Sequence, residues 1–202
     1  MSRSPWQRVL GARMAGLDAG LRAYFGAIPE GYVGHGQGVF EVVGTPRRWL
    51  WPAFGLLGRD GIVFPVWEHT VPFRVTNRPT AHGTVQATRV FQFAGGERTM
   101  TDEIGVTRAG LTDRLGRHGL VSARFDAEVV NGRLVLSSTG ADLRLGPVRI
   151  PLGALAPRVT LVERTDGSRQ HVSLRMALPL IGTLYEYAGT FTYALERENQ
   201  VG

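Results

Sequence analysis

From residue 61 onward, apolar and polar side chains alternate with a period of two, and turn-forming residues interrupt the alternation at short intervals. The interruptions are Gly95-Gly96, Gly116 to Gly119, Asn131-Gly132 and Asp166-Gly167. Asn-Gly and Asp-Gly between alternating runs are strong hairpin signals, because a two-residue turn needs positive φ at its centre. The pattern predicts strands near 32–43, 62–77, 84–94, 97–107, 120–130, 133–145, 158–166, 169–178 and 183–195. About nine short strands joined by hairpins make a mostly β domain, an antiparallel curved sheet or barrel. Toward the N-terminus the period lengthens. Ser4-Pro5 supplies a hydroxyl cap and a proline at the first helical position. Trp6, Val9, Leu10, Leu17, Leu21 and Phe25 then recur at helical spacing, predicting an N-terminal helix over about 4–26. Thr45-Pro46 repeats the signal and predicts a short second helix over about 46–57, kinked at Pro52. The whole chain, 1–202, reads as a single domain, with its sheet over about 61–195 and a loose tail over 196–202.

Alternate side chains of a strand share a face, so an ionisable residue in the apolar phase stands out. Over 63–75 that phase is Val63, Pro65, Trp67, His69, Val71, Phe73 and Val75, which places His69 inside. Over 85–93 it is Val85, Ala87, Arg89, Phe91 and Phe93, which places Arg89 inside. Glu163 follows Val159 and Leu161, and Tyr185 and Tyr187 precede Gly189 and Phe191. Parity also favours Asp102 as inward and Glu103 as outward. The candidate catalytic set is therefore His69, Arg89, Glu163, Tyr185 and Tyr187, with Trp67, Phe91 and Phe93 as candidate substrate contacts. A buried arginine or glutamate needs a partner, and Arg89 and Glu163 are expected to satisfy each other. Two readings stay open: a structural polar core, or a cavity whose polar groups orient a ligand.

Composition narrows the chemistry. The chain has no cysteine, which excludes disulfides, thiolate nucleophiles and cysteine-bound metal centres. All 23 basic residues are arginine, so Schiff-base chemistry and a P-loop lysine are excluded too. The five histidines form no i, i+4 pair, and neither metal nor cofactor is expected. The net charge of +6 is carried by arginines scattered singly, apart from Arg47-Arg48, without the basic–aromatic interleaving of a nucleic-acid platform. No nucleic-acid partner is expected. Gly34-His35-Gly36-Gln37-Gly38 precedes an extended run rather than a helix, so it reads as a strand approaching another backbone and not as a phosphate loop. No apolar run approaches the ~18 residues of a membrane span, and no leader pattern follows Arg3 and Arg8; a cytoplasmic location is expected.

Several short elements resemble a known family. They are Ala87-Thr88-Arg89-Val90-Phe91, Glu103-Ile104-Gly105, and Ile150-Pro151-Leu152 to Pro157 with Glu163 ahead of Asp166-Gly167. The last is Leu178-Pro179-Leu180-Ile181-Gly182 followed by Tyr187-Ala188-Gly189. Together they resemble the bacterial domain-of-unknown-function family numbered 4166, most clearly over about 30–193. A tryptophan of the family pattern is Ala87 here, which the resemblance implies would enlarge any cavity beneath it. The resemblance implies no assigned activity. Some members look like extensions of dinucleotide-binding dehydrogenase-like domains, which turns the expectation toward small molecules.

The function expected from the sequence is a cavity protein for a mostly apolar small molecule, of the kind used by cofactor-independent cyclases and isomerases. The alternatives are a non-catalytic small-molecule or lipid carrier, and a membrane-peripheral interaction domain that uses Arg47-Arg48, Trp49, Trp51 and the apolar residues after them. The oligomeric state is open.

Overall fold

The structure, a computed structural model, describes residues 3–198. Eleven strands form: β1 (Tyr32–Gly44), β2 (Trp67–Pro79), β3 (Val85–Phe93), β4 (Gly96–Thr107), β5 (Gly110–Leu115), β6 (Val121–Val130), β7 (Arg133–Leu145), β8 (Val148–Pro151), β9 (Arg158–Asp166), β10 (Arg169–Leu178) and β11 (Gly182–Arg197). Ten of them close into an antiparallel barrel in the order β6-β5-β4-β3-β2-β1-β11-β10-β9-β7, with β7 returning to β6. Closure satisfies the backbone groups that an open sheet would leave at its edges. The remaining strand, β8, lies outside the ring. It pairs with β7 over Asp142–Leu145, where β9, which covers Leu134–Ser137, has left that edge.

The two strands beyond the expected nine are β5 and β8. Both are short; in β5 Thr112, Asp113 and Arg114 dilute the apolar pattern, and all four residues of β8 are exposed. β11 also runs further than expected. Arg197 pairs with Tyr32 across β1, and Glu198 N–H donates to Gly31 O at 3.0 Å, so the chain stays ordered past 196. The rest of the expected tail, 199–202, lies outside the described residues.

The N-terminal helical region is broken into α1 (Pro5–Leu10), a 3₁₀ turn over Gly11–Gly16 and α2 (Ala19–Tyr24). Gly11 takes φ 55°, a conformation that stops α1, and Leu17 is extended and bridges to Gly132. The start of α1 is built as the sequence suggests. Ser4 Oγ accepts from Gln7 N–H at 3.1 Å, Gln7 Oε1 accepts from Ser4 N–H at 2.9 Å, and Ser4 Oγ donates to Phe25 O at 2.6 Å. That last bond ties the first turn to the end of α2. Ser4→Ala is expected to lower stability by about 1–2 kcal/mol, seen as a lower urea midpoint at unchanged m-value. The second helix, α3 (Trp51–Arg59), follows a 3₁₀ turn over Arg48–Leu50. Pro52 falls in its first turn, where its missing N–H breaks no helical bond, so the expected kink is absent.

Two apolar clusters fill the molecule. One is the barrel's aromatic core, with Phe40, Phe73, Phe91, Phe93 and Tyr187. The other joins Trp6, Leu10, Leu17, Leu21 and Phe25 to Leu111, Phe125 and Leu134 on the barrel wall. The helical segments sit at opposite ends of β11: Tyr24 packs edge-on against Tyr193 at 4.6 Å, and Phe54 against Tyr185 at 5.8 Å. β1 carries the glycine-rich run in its middle. Any side chain at Gly38 would run into Thr190 O and Phe191 of β11, so this glycine allows close strand approach.

Candidate functional site

Between the two helical ends lies a pocket of about 430 Å³. Most of its wall is apolar, from Leu111, Phe125, Leu136, Leu161, Met176 and their neighbours. Into it project Arg89 from β3, Asp102 from β4, Asp113 from β5 and Glu163 from β9, with Tyr24, Tyr185 and Tyr187 beside them. The strand order explains the arrangement. β3 and β9 are five strands apart in either direction around the ring, so Arg89 and Glu163 face each other from opposite walls.

The expected Arg89–Glu163 pair is therefore replaced. Arg89 Nη1 donates to Asp102 Oδ1 in a close ion pair. Asp102 stands opposite Ala87 in the β3–β4 ladder, one diagonal step from Arg89, and so reaches it on its own side of the barrel. Asp113 pairs with Ile104 while Asp102 pairs with Leu115, so the two aspartates are diagonal neighbours on one face. Glu163 Oε2, Asp102 Oδ2, Asp113 Oδ1 and Gln170 Oε1 are buried and accept no hydrogen bond among the described residues.

Electrostatics follow from this geometry. Burial pushes the Glu163 carboxyl from its ordinary 4.5 up to about 8, partly countered by the Arg89 charge. At neutral pH Glu163 is therefore mostly a carboxylic acid. Burial, and then the Asp102 charge, hold Asp113 well above the usual carboxylate range. Burial also raises Asp102, against the pull of Arg89. For Arg89, burial works against the charge, but Asp102 together with Tyr187, Tyr24 and Asp113 outweighs it, and the guanidinium is held above its ordinary value. Tyr24, Tyr185 and Tyr187 are pushed up, chiefly by burial, and stay phenols. The pocket thus holds one internally neutralised ion pair, the carboxylic acid of Glu163, the raised carboxyl of Asp113 and three phenols.

His69 and Trp67 are not part of it. Both are exposed, His69 Nδ1–H donates to Glu41 O at 3.0 Å, and the two rings meet edge-on at 5.7 Å on the outer surface. The alternation that placed His69 inside is inverted at Thr70, which takes φ 55°. β1 bulges between Phe40 and Val42 in its pairing with β11, which turns Val43 inward, and the unbroken β1–β2 register sets Glu68 rather than His69 beside it. Phe91 and Phe93 do point inward, but their rings stack at 5.6 Å within the aromatic core and not on the pocket wall. Arg89, Glu163, Tyr185 and Tyr187 all line the pocket, and Asp102 is inward as its parity indicates.

Asp113 and Tyr24 were not singled out from the sequence. Leu111-Thr112-Asp113-Arg114-Leu115 carries Asp113 in the apolar phase, but the segment is too short to be read as a strand. Tyr24 sits beside Phe25 at the end of a helix whose apolar face is complete without it. Among the described residues, no three histidine, aspartate or glutamate side chains converge as a metal site. No described helix is long and apolar enough to cross a membrane.

Fold and site together define a closed ten-strand antiparallel barrel with a polar pole inside an apolar pocket. Residues 17–191 match the model of the family described as "Domain of unknown function (DUF4166)", and the chain belongs to that family. No curated protein and no solved structure matches it.

Proposed function

We propose that the barrel binds a mostly apolar small molecule carrying one uncharged, hydrogen-bond-accepting group, a carbonyl above all. The observation that carries this reading is the pocket of about 430 Å³ with Glu163 unpartnered on one wall and Arg89–Asp102 on the other. Its size lies within the usual range for small-molecule sites, and so does its pattern of apolar walls with a few convergent polar groups. A carboxylate ligand fits less well, because Arg89 already has its counter-ion and, among the described residues, no second cation faces the pocket. A neutral carbonyl accepts from the protonated Glu163 and from a tyrosine hydroxyl without bringing in unpaired charge.

Glu163 also gives the pocket chemistry. A buried acid that titrates near 8 is matched to proton transfer at neutral pH. The reading includes a cofactor-independent isomerisation or ring closure, in which the proton Glu163 gives is replaced by one the ligand releases. A carrier with the same pocket is the alternative, and Glu163→Gln separates them. In an enzyme it keeps ligand binding and lowers turnover by roughly 10²–10⁴-fold; in a carrier no turnover exists to lose.

Two measurements test the binding itself. Native purification, denaturation and mass spectrometry of the released extract are expected to yield an apolar compound in stoichiometric amount. In parallel, Ala123→Phe, which fills the void from β6, is expected to weaken binding of an apolar fluorescent probe by at least about tenfold. Its urea midpoint should stay the same or rise, because the new ring enters open space rather than packed core. A blank extract together with no saturable probe binding by the wild type would overturn the reading.

A further inference from the structure

The outer side of α3 and the turn joining β10 to β11 form one surface. Arg47 holds them together: its Nε donates to Thr183 O at 2.8 Å and its Nη2 donates to Ile181 O. On this surface Trp49 is 61% exposed, Leu56 63%, and Leu180 fully. Trp51 and Ile181 are also exposed, while the opposite side of α3 buries Phe54 against the barrel. Helix and turn carry Arg47, Arg48 and Arg59, and no acidic residue occurs over 46–59 or 178–184. Next along the chain, Asp60 at the end of α3 is buried and bonded to His118, and Glu186 stands opposite Arg175 in the β10–β11 ladder.

Leu180 adds an independent observation. It occupies the left-handed region at φ 67°, where a side chain is strained and glycine or asparagine is the usual choice. Its side chain is fully solvent-exposed and packs on nothing, so the strain is not repaid within the molecule.

We propose that this face docks on an anionic lipid bilayer, with Trp49, Trp51, Leu56 and Leu180 entering the headgroup–acyl boundary and the arginines meeting lipid phosphates. Aromatic and leucine side chains beside arginine, on a helix too short to span, are the composition of an interfacial element. A protein partner would leave the cation excess unexplained unless it were itself acidic. The proposal rests on the outer face alone and holds whether or not the pocket takes a ligand.

The test is co-sedimentation of the full chain with phosphatidylcholine vesicles, with and without phosphatidylglycerol. Binding to the anionic vesicles is expected to exceed binding to the neutral ones by at least about tenfold and to weaken as salt is raised. Combined Trp49→Ser, Leu56→Ser and Leu180→Ser substitutions should abolish it at an unchanged urea midpoint, since all three side chains are exposed. Leu180→Gly should raise the midpoint, by removing the strain, and still weaken vesicle binding several-fold. The pocket-filling Ala123→Phe should bind vesicles like the wild type, so this idea and the pocket reading fail separately. No sedimentation with anionic vesicles, or equal binding to both kinds, overturns the proposal. So does concentration-dependent self-association abolished by the triple substitution, which would assign the face to a second copy of the chain.

Discussion

Asp102→Asn is expected to lower folding stability by about 3–5 kcal/mol at pH 7, and Arg89→Met by distinctly less. The two substitutions remove the same ion pair but leave different remainders. Without Asp102, Arg89 stays charged inside an apolar barrel, because a guanidinium does not give up its proton in this range. The nearest other carboxyls, Asp113 and Glu163, are both raised by burial, and ionising either carries its own burial cost. Without Arg89, by contrast, Asp102 has an exit. Its carboxyl is already raised by burial while the arginine is present, and losing the arginine raises it further and eases its protonation. The pH dependence then has a definite sign. A carboxyl whose folded pKa lies above its unfolded value destabilises the fold progressively as pH rises through the interval between them. Arg89→Met should therefore cost little at pH 4.5 and more at pH 7. The paired variant Arg89→Met with Asp102→Leu should recover most of either loss, since buried ion pairs replaced by apolar groups of similar volume are often neutral. Urea midpoints of the four proteins at the two pH values decide it. Equal single losses, or a double variant that loses their sum, would mean that the pair is open to water and the pocket is not the apolar environment described above.

Strand period and turn chemistry located nine of the eleven strands, because those quantities are local. Parity within a strand is also local, and it placed Arg89, Asp102, Glu163, Tyr185 and Tyr187 on the inner face. It failed at His69 because one left-handed residue, Thr70, inverts the phase, and nothing in a threonine announces a positive φ. Partnership is not local at all. Which inward carboxyl meets Arg89 depends on the circular order of strands, and that order places Glu163 across the barrel and Asp102 next door. The glycines of β1 tell the same story: close approach was legible from 34–38, but the neighbour approached was not. Void space is the least legible quantity, since it is the residue of all the packing that does succeed.

Glu163→Gln is the sharpest probe of that void, and it should make the protein more stable. In the unfolded chain this carboxyl titrates near 4.5; in the barrel it titrates near 8. Between those values the folded protein holds a proton that the unfolded one has released, so stability falls as pH rises and the loss is complete only above the folded pKa. The interval of about 3.5 pH units corresponds to about 5 kcal/mol at 1.36 kcal/mol per unit, of which about 3 has accrued by pH 7. Glutamine has the shape of the protonated acid and does not titrate. The variant and the wild type should therefore match near pH 4.5, and the variant should lead by about 3 kcal/mol at pH 7 and more at pH 9. Asp113 is raised in the same sense, but it is present in both proteins and drops out of the difference. A difference curve that stays flat would mean that Glu163 ionises as it does in water. A curve that rises as described would show a residue kept at a cost to stability that its own amide would remove. Retention of such a group is the expected mark of a site that acts on what it binds, because a structural core would gain by the exchange.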